Sequence, residues 1–231
     1  MTGSRGSEMK AGRKEFQHPF PVRLTHWVNF VALGIMVTSG LRIYNASPLW
    51  DFTIPSAFTL GGWLAGARMW HFFGMWLFAA NGVVWVIYNL ATRHGRRTTL
   101  FGRSDVKGVA PMIRYYLRIR KDHPPSGKYN ALQKLAYTTI PLAAAGSILT
   151  GMSIYWPVQF GWLTSLFGGY DVARYWHFIF DAAFVFFFAG HLLMVAIAGW
   201  SNFLSMITGW KRVPGEPPPT PPRTPAPAEP A

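Results

Sequence analysis

The stretch WHFIFDAAFVFFFAGHLLMVAIAGW, Trp176–Trp200, decides how this chain is read. It is long and apolar enough to cross a bilayer, which takes about 20 residues at ~1.5 Å rise each. It also carries two histidines, His177 and His191. In a helix their spacing is a rise of about 21 Å and a turn that returns to within ~40° of its start. Both imidazoles then lie on one face at two depths. Asp181 follows His177 by one turn and is costly in a membrane unless it is paired.

Working outward, three more stretches have this character: Leu24–Tyr44, Met69–Leu90 and Leu135–Tyr155. Lipid offers no water to backbone amides, so each span is expected to be helical. The third holds Pro141, Gly146 and Gly151, which neighbouring helices can accommodate. One apolar stretch alone fits a buried core helix, but four in one chain do not. The fold class expected is all-α, an integral membrane four-helix bundle occupying residues 22–212. Residues 1–21 read as a polar lead and 213–231 as a proline-rich tail that cannot build a core. Composition agrees: 50% of residues are hydrophobic, 16% aromatic and only 13% charged, about half the charge of a soluble domain. No short internal repeat stands out.

Net charge is +13. Arg93, Arg96, Arg97, Arg103, Lys107, Arg114, Arg118, Arg120, Lys121, Lys128 and Lys134 crowd the segment between spans two and three. The N-terminal lead and the C-terminal tail are also basic. The other two loops hold only Arg42, Arg68 and Arg174. The positive-inside rule then places both termini and the central loop in the cytoplasm. Charges beside spans answer to lipid headgroups, so a nucleic-acid partner is not expected. Val106–Lys121 mixes apolar and basic residues and reads as an interfacial helix. The first twenty residues are polar and the apolar run after them is too long for a signal peptide core, so the first span is expected to insert uncleaved. Cysteine is absent, which excludes disulfides, thiolate-held clusters and covalent attachment of c-type haem.

Four histidines lie in or at the edges of spans: His26, His71, His177 and His191. A lone histidine in a span often serves as an interhelical hydrogen bonder, and zinc or copper also binds imidazole. Two-histidine sites lacking carboxylate or thiolate support are poor for those metals. Span direction pairs His71 with His177 near the outer face and His26 with His191 near the inner face. Two stacked b-type haems, each with one ligand from the fourth span, need this arrangement. Arg23, Arg68 and Arg174, each three residues before a ligand, are candidates to neutralise haem propionates. Gly34, Gly74 and Gly190 lie near the ligands and suit either a flat macrocycle or helix packing.

Three features carry a family resemblance: Arg23-Leu24-Thr25-His26-Trp27, the histidine spacing of span four, and Gly127-Lys128-Tyr129-Asn130-Ala131-Leu132-Gln133-Lys134. Over about residues 18–212 the chain resembles the diheme cytochrome b subunits of respiratory formate dehydrogenase, nickel–iron hydrogenase and thiosulfate reductase, within the bacterial cytochrome b561-like superfamily. The resemblance implies a subunit of the bacterial inner membrane. It would pass electrons between quinone and a periplasmic-side oxidoreductase carrying a molybdenum or iron–sulfur centre. It also implies quinone contact at Asn130 beside His191, with Leu132 standing where the formate dehydrogenase cytochrome has glycine. Asn130 equally suits a helix cap. Gln133 sits at the same re-entry to span three and is a second candidate for quinone contact. Two other readings stay open: a stand-alone quinone oxidoreductase of the same fold, and a haem-free anchor or transporter. No inverted repeat favours transport.

Overall fold

The computed structural model describes residues 13–92, 100–127 and 129–213. Most of the polar lead, the proline-rich tail beyond Val213, and Arg93, Arg96, Arg97 and Lys128 of the basic loop lie outside the described residues.

Four helices are long and apolar enough to cross a membrane: α1 (Phe20–Ala46), α2 (Leu64–Thr92), α4 (Ala131–Tyr155) and α6 (Tyr170–Ala198). Each extends a few residues beyond the apolar run that announces it, except that α6 stops before Trp200. There Gly199, at φ +83°, breaks the backbone and a short helix, α7 (Trp200–Thr208), begins. Between α2 and α4 lies α3 (Val106–Tyr116), the expected interfacial helix, which ends before the basic run Arg118–Lys121. Between α4 and α6 lies α5 (Gly161–Leu166). The lead supplies a strand: β1 (Arg13–Phe16) pairs antiparallel with β2 (Trp210–Val213), Phe16 opposite Trp210. Both described ends of the chain are therefore tied together at one end of the bundle, called here the terminal end. The opposite, loop end carries residues 47–63 and 156–169.

The bundle is two hairpins, α1/α2 and α4/α6, and the second repeats the first. Helices α2 and α6 are both 29 residues long. His71 and His177 are each eighth in their helix, inside the repeated motif Ala-Arg-x-Trp-His-Phe (Ala67–Phe72 and Ala173–Phe178). Both helices follow a pair of glycines with positive φ, Gly61-Gly62 and Gly168-Gly169. On the partner helices, Ser39-Gly40 of α1 and Thr150-Gly151 of α4 hold matching places, as do Tyr44 and Tyr155.

Packing obeys the same relation. Tyr44 meets Phe178 with ring centres 5.2 Å apart, and its counterpart Tyr155 meets Phe72 at 4.6 Å. Within the first hairpin Ile35 packs against Gly74. In the second the sizes are exchanged, and Phe180 packs against Gly146. Both hairpins start from the same end, so this is a parallel repeat with its axis along the membrane normal. The linear reading passed over it because identity is confined to one short motif.

At the terminal end each hairpin's first helix anchors a peripheral helix through its fourth residue. Arg23 of α1 donates to the Ile207 carbonyl of α7, and Trp27 donates to Met206 at 3.0 Å. Lys134 of α4 pairs with Asp105, just before α3, at 2.7 Å.

Candidate functional site

The structure brings the four histidines together in the two pairs that depth requires. His71 of α2 faces His177 of α6 with ring centres 6.2 Å apart. His26 of α1 faces His191 of α6 at 6.0 Å. Two imidazoles on one metal, with metal–nitrogen bonds of about 2 Å, put their ring centres about 6 Å apart. Among the described residues no group of three or more His, Cys, Asp or Glu gathers as a metal site would need. Two nitrogens per site suit a metal whose other ligands come from a macrocycle.

The loop-end pair is held in mirror fashion. Ser39 Oγ lies 3.1 Å from His71 Nδ1, and Thr150 Oγ1 lies 3.0 Å from His177 Nδ1. The backbone of Met36 is a further partner of His71, as that of Ser147 is of His177. These contacts fix each ring through Nδ1 and leave Nε2 for the interior, the arrangement that orients metal-bound histidines. Behind each ring stands a glycine. A Cβ on Gly40 would lie 3.4 Å from the His71 ring, and one on Gly151 would lie 3.3 Å from the His177 ring. Neither the hydroxyls nor these two glycines were among the residues expected from sequence. The repeated Ala-Arg-x-Trp-His-Phe motif could have found them, by pointing to what the two hairpins share.

The terminal-end pair is built differently. His26 Nδ1 is buried without a hydrogen-bond partner, and so is Arg23 Nε one turn earlier. His191 stacks on Phe187 of its own helix, with ring centres 5.9 Å apart. Arg23 gives one guanidinium nitrogen to α7 and keeps Nε, a buried donor that suits an anionic carboxylate. Arg174 donates to the Ser47 carbonyl and hydroxyl and lies 3.7 Å from Asp171. Arg68 is exposed.

The residues expected near quinone fall at the start of α4. Asn130 is buried and closes a capping box: its Oδ1 accepts from Gln133 N at 2.9 Å, and Gln133 Oε1 accepts from Asn130 N at 3.0 Å. Asn130 Nδ2 donates to the Tyr116 hydroxyl at 3.0 Å. Its side chain is thus committed to the fold, whereas Gln133 is exposed. Of the glycines singled out, Gly74 packs α2 on α1. Gly34 and Gly190 have open space beside them.

Four apolar helices with facing histidine pairs in their interior define a multi-pass membrane cytochrome of the b type. The chain belongs to the prokaryotic cytochrome b561 family, whose profile matches residues 17–209. It is 40% identical over 192 residues to the putative protein-methionine-sulfoxide reductase subunit YedZ1 of Azospira oryzae, covering 83% of this chain and 96% of the relative. It is 26% identical to the probable Ni/Fe-hydrogenase B-type cytochrome subunit of Cupriavidus necator, over 73% of each chain. The putative cytochrome YdhU of Escherichia coli is 25% identical over 91% of this chain and 79% of its own. No solved structure matches the chain. As a member of this family the protein binds b-type haem and serves in membrane electron transfer.

Proposed function

We propose that this chain is the quinone-reactive subunit of an oxidoreductase complex in a bacterial inner membrane. Its two b-type haems would be held by His71/His177 and His26/His191. The observation that carries this reading is the two histidine pairs, 6.2 Å and 6.0 Å across, stacked along one helix at two depths. Haem supplies one-electron carriers there. The chain's own residues hold the rings, and Arg23, Arg68 and Arg174 offer cations to propionates. The bundle domain is residues 22–212, flanked by the lead and the proline-rich tail. The basic loop and both termini lie in the cytoplasm. Quinone exchanges electrons and protons at that side, near Asn130 and Gln133.

The partner sits at the loop end, on the periplasmic side. The names of the relatives favour a reductase of oxidised methionine over a hydrogenase, since the likeness to the former is the greater. A formate dehydrogenase-type partner, or another molybdenum or iron–sulfur enzyme, is the alternative. Electrons would then run from quinol, through the inner pair, to the outer pair and the partner.

Two measurements on the purified full chain test the reading. Pyridine haemochrome analysis should give about two haems per chain, and a short-chain quinol should reduce them. A protein without reducible b-type bands would end the cytochrome reading of the site. Full haem content with no reduction by ubiquinol or naphthoquinol analogues would end the quinone reading. Co-purification with an oxidoreductase subunit separates a partnered subunit from a stand-alone enzyme.

A further inference from the structure

The internal repeat makes a specific demand at the terminal end. The loop-end pair, His71 and His177, maps onto itself when the hairpins exchange. The terminal-end pair does not: His26, seventh in α1, corresponds to Tyr137, seventh in α4, and His191, twenty-second in α6, corresponds to Trp85, twenty-second in α2. The bundle therefore has a second position at the depth of the inner pair. It lies between α2 and α4, across the axis from the one between α1 and α6.

The two positions are filled differently. Next to the inner histidines, Phe30 of α1 and Phe188 of α6 close the space with ring centres 5.9 Å apart. Their counterparts are Pro141 and Gly82. A Cβ built on Gly82 would meet nothing within 4 Å. Two phenyl rings on one side are replaced on the other by a pyrrolidine and a hydrogen atom. Trp85 and Tyr137 remain 40% and 46% exposed. At the loop end, by contrast, α2 and α4 are closed by the Phe72–Tyr155 contact. At Gly82 and Pro141 the terminal half of the α2–α4 seam thus carries smaller side chains than the equivalent α1–α6 seam.

We propose that this α2–α4 cleft, walled by Gly82, Trp85, Tyr137 and Pro141, holds the ring of a membrane quinone. The proposal rests on the quinone reading above and locates its site. The walls offer aromatic faces and two hydrogen-bond donors, the Tyr137 hydroxyl and the Trp85 indole N–H, which match a flat ring bearing two carbonyls. Neither residue is a histidine, so this position holds no second bis-histidine pair. Gln133, Tyr137 and Pro141 recur at i, i+4 and i+8, one face of α4, and Gln133, exposed although its Oε1 closes the capping box, stands at the end of that face nearest water. Asn130, tied into its cap and to Tyr116, supports that helix start without touching the ring. One quinol oxidised to quinone gives up two electrons and two protons. The two electrons match two one-electron centres, and the protons leave by the Gln133 side.

The test uses the haem-loaded full chain in nanodiscs. Gly82→Leu fills the cleft, and Tyr137→Phe removes only the hydroxyl. Decylubiquinol and menadiol serve as donors in stopped-flow reduction, beside a haem count on each sample. The expected result is a tenfold or greater loss of rate for Gly82→Leu and a smaller loss for Tyr137→Phe, with haem content unchanged. A photoactivatable azidoquinone should label the segments Gly82–Asn89 and Gln133–Pro141. Wild-type rates in both variants, or labelling confined to other segments, would overturn the cleft while leaving the quinone reading intact. Failure of the wild type to be reduced by either quinol would instead remove that reading and the cleft with it. If Gly82→Leu loses haem, Tyr137→Phe and the labelling decide.

Discussion

The two histidine pairs have similar ring separations in unlike surroundings. At the loop end each ring is gripped by its own hairpin, with a hydroxyl on Nδ1 and a glycine behind it, and the grip is duplicated by the repeat. At the terminal end the histidines come from non-equivalent places in the two hairpins, and His26 Nδ1 has no hydrogen-bond partner. The loop-end rings thus take their orientation from their own hairpins. The inner pair depends on neighbours outside the hairpins: α7, held by Arg23 and Trp27, and the β1/β2 pairing below it. The repeat makes the loop end symmetric, while at the terminal end equivalent positions carry histidines between α1 and α6 and Trp85 and Tyr137 on α2 and α4.

The largest effects should come from the ligands. His177→Ala is expected to lower the haem count from about two to about one per chain and to leave the inner haem spectrum in place. His26→Ala should do the reverse. If either change removes both haems from a chain that still inserts, the two sites are not independent and the comparison fails.

Next come changes that touch one end only. Arg23→Ala frees the end of α7 and removes the buried donor beside His26. Inner haem content should fall several-fold on dilution, with the outer haem retained. Ser39→Ala and Thr150→Ala each delete one hydroxyl from Nδ1 of an outer ligand. Loss of such a partner typically weakens metal binding by about 10- to 100-fold. The backbone contacts at Met36 and Ser147 should keep these variants near the lower figure. The sharper test is equality: both should shift the outer midpoint potential in the same direction by a similar amount, and neither should move the inner one. Unequal shifts would show that the repeat governs the backbone but not the chemistry.

Much of this was legible in the chain. Four apolar runs fixed the spans to within a few residues, since a bilayer sets a length that little else in a protein requires. Span direction paired the histidines, and the spacing within α6 supported the pairing, because helical rise and rotation convert sequence distance into depth and direction. The peripheral pieces were harder. The lead reads as polar coil, yet Arg13–Phe16 finds a strand partner some two hundred residues away, and pairing at that distance leaves no local pattern. The break at Gly199 was hidden inside an apolar run that continues through Trp200. Ser39 and Thr150 look like ordinary polar residues in a span. Only their matching places, each the twentieth residue of the first helix of its hairpin, mark them out. Asn130 shows the opposite case: its motif was visible, but whether an asparagine caps a helix or meets a ligand depends on where its amide points.

Asn130 also separates the two hairpins, since α1 begins with Pro19 and no side-chain cap, whereas α4 has the full box. Asn130→Ser keeps a capping oxygen and removes only the donor to Tyr116. Asn130→Leu removes both and should cost about 1 kcal/mol at that helix start. Quinol-driven reduction should survive Asn130→Ser with a change of no more than about twofold, if the residue acts through the cap. A tenfold fall with haem content intact would return Asn130 to direct contact with quinone.

The smallest effect concerns how the second hairpin holds its peripheral helix. Lys134 pairs with Asp105 at 2.7 Å, and Gly102 N donates to the same carboxylate at 2.9 Å. The Lys134 hydrogen bond, followed by that of Gly102, holds the Asp105 carboxyl below its ordinary range. A carboxyl whose pKa is lower folded than unfolded adds stability that is complete above the unfolded value, about 4. That stability is lost as pH falls through the lower folded value. Docking of α3 on α4 should therefore not change between neutral pH and pH ~5, and should loosen only in more acid solution. Pepsin, active in that range, reads the change as cleavage within Val106–Gly127. Asp105→Asn removes the titration, so wild type and variant should converge at the lowest pH and differ above it. The pair is partly exposed, so the difference should be modest and should shrink with salt. On the first hairpin the equivalent anchor, Arg23 to the Ile207 carbonyl, contains no carboxylate. Cleavage near α7 should show no matching acid step, and an equal step at both helices would trace the loosening to the bundle rather than to Asp105.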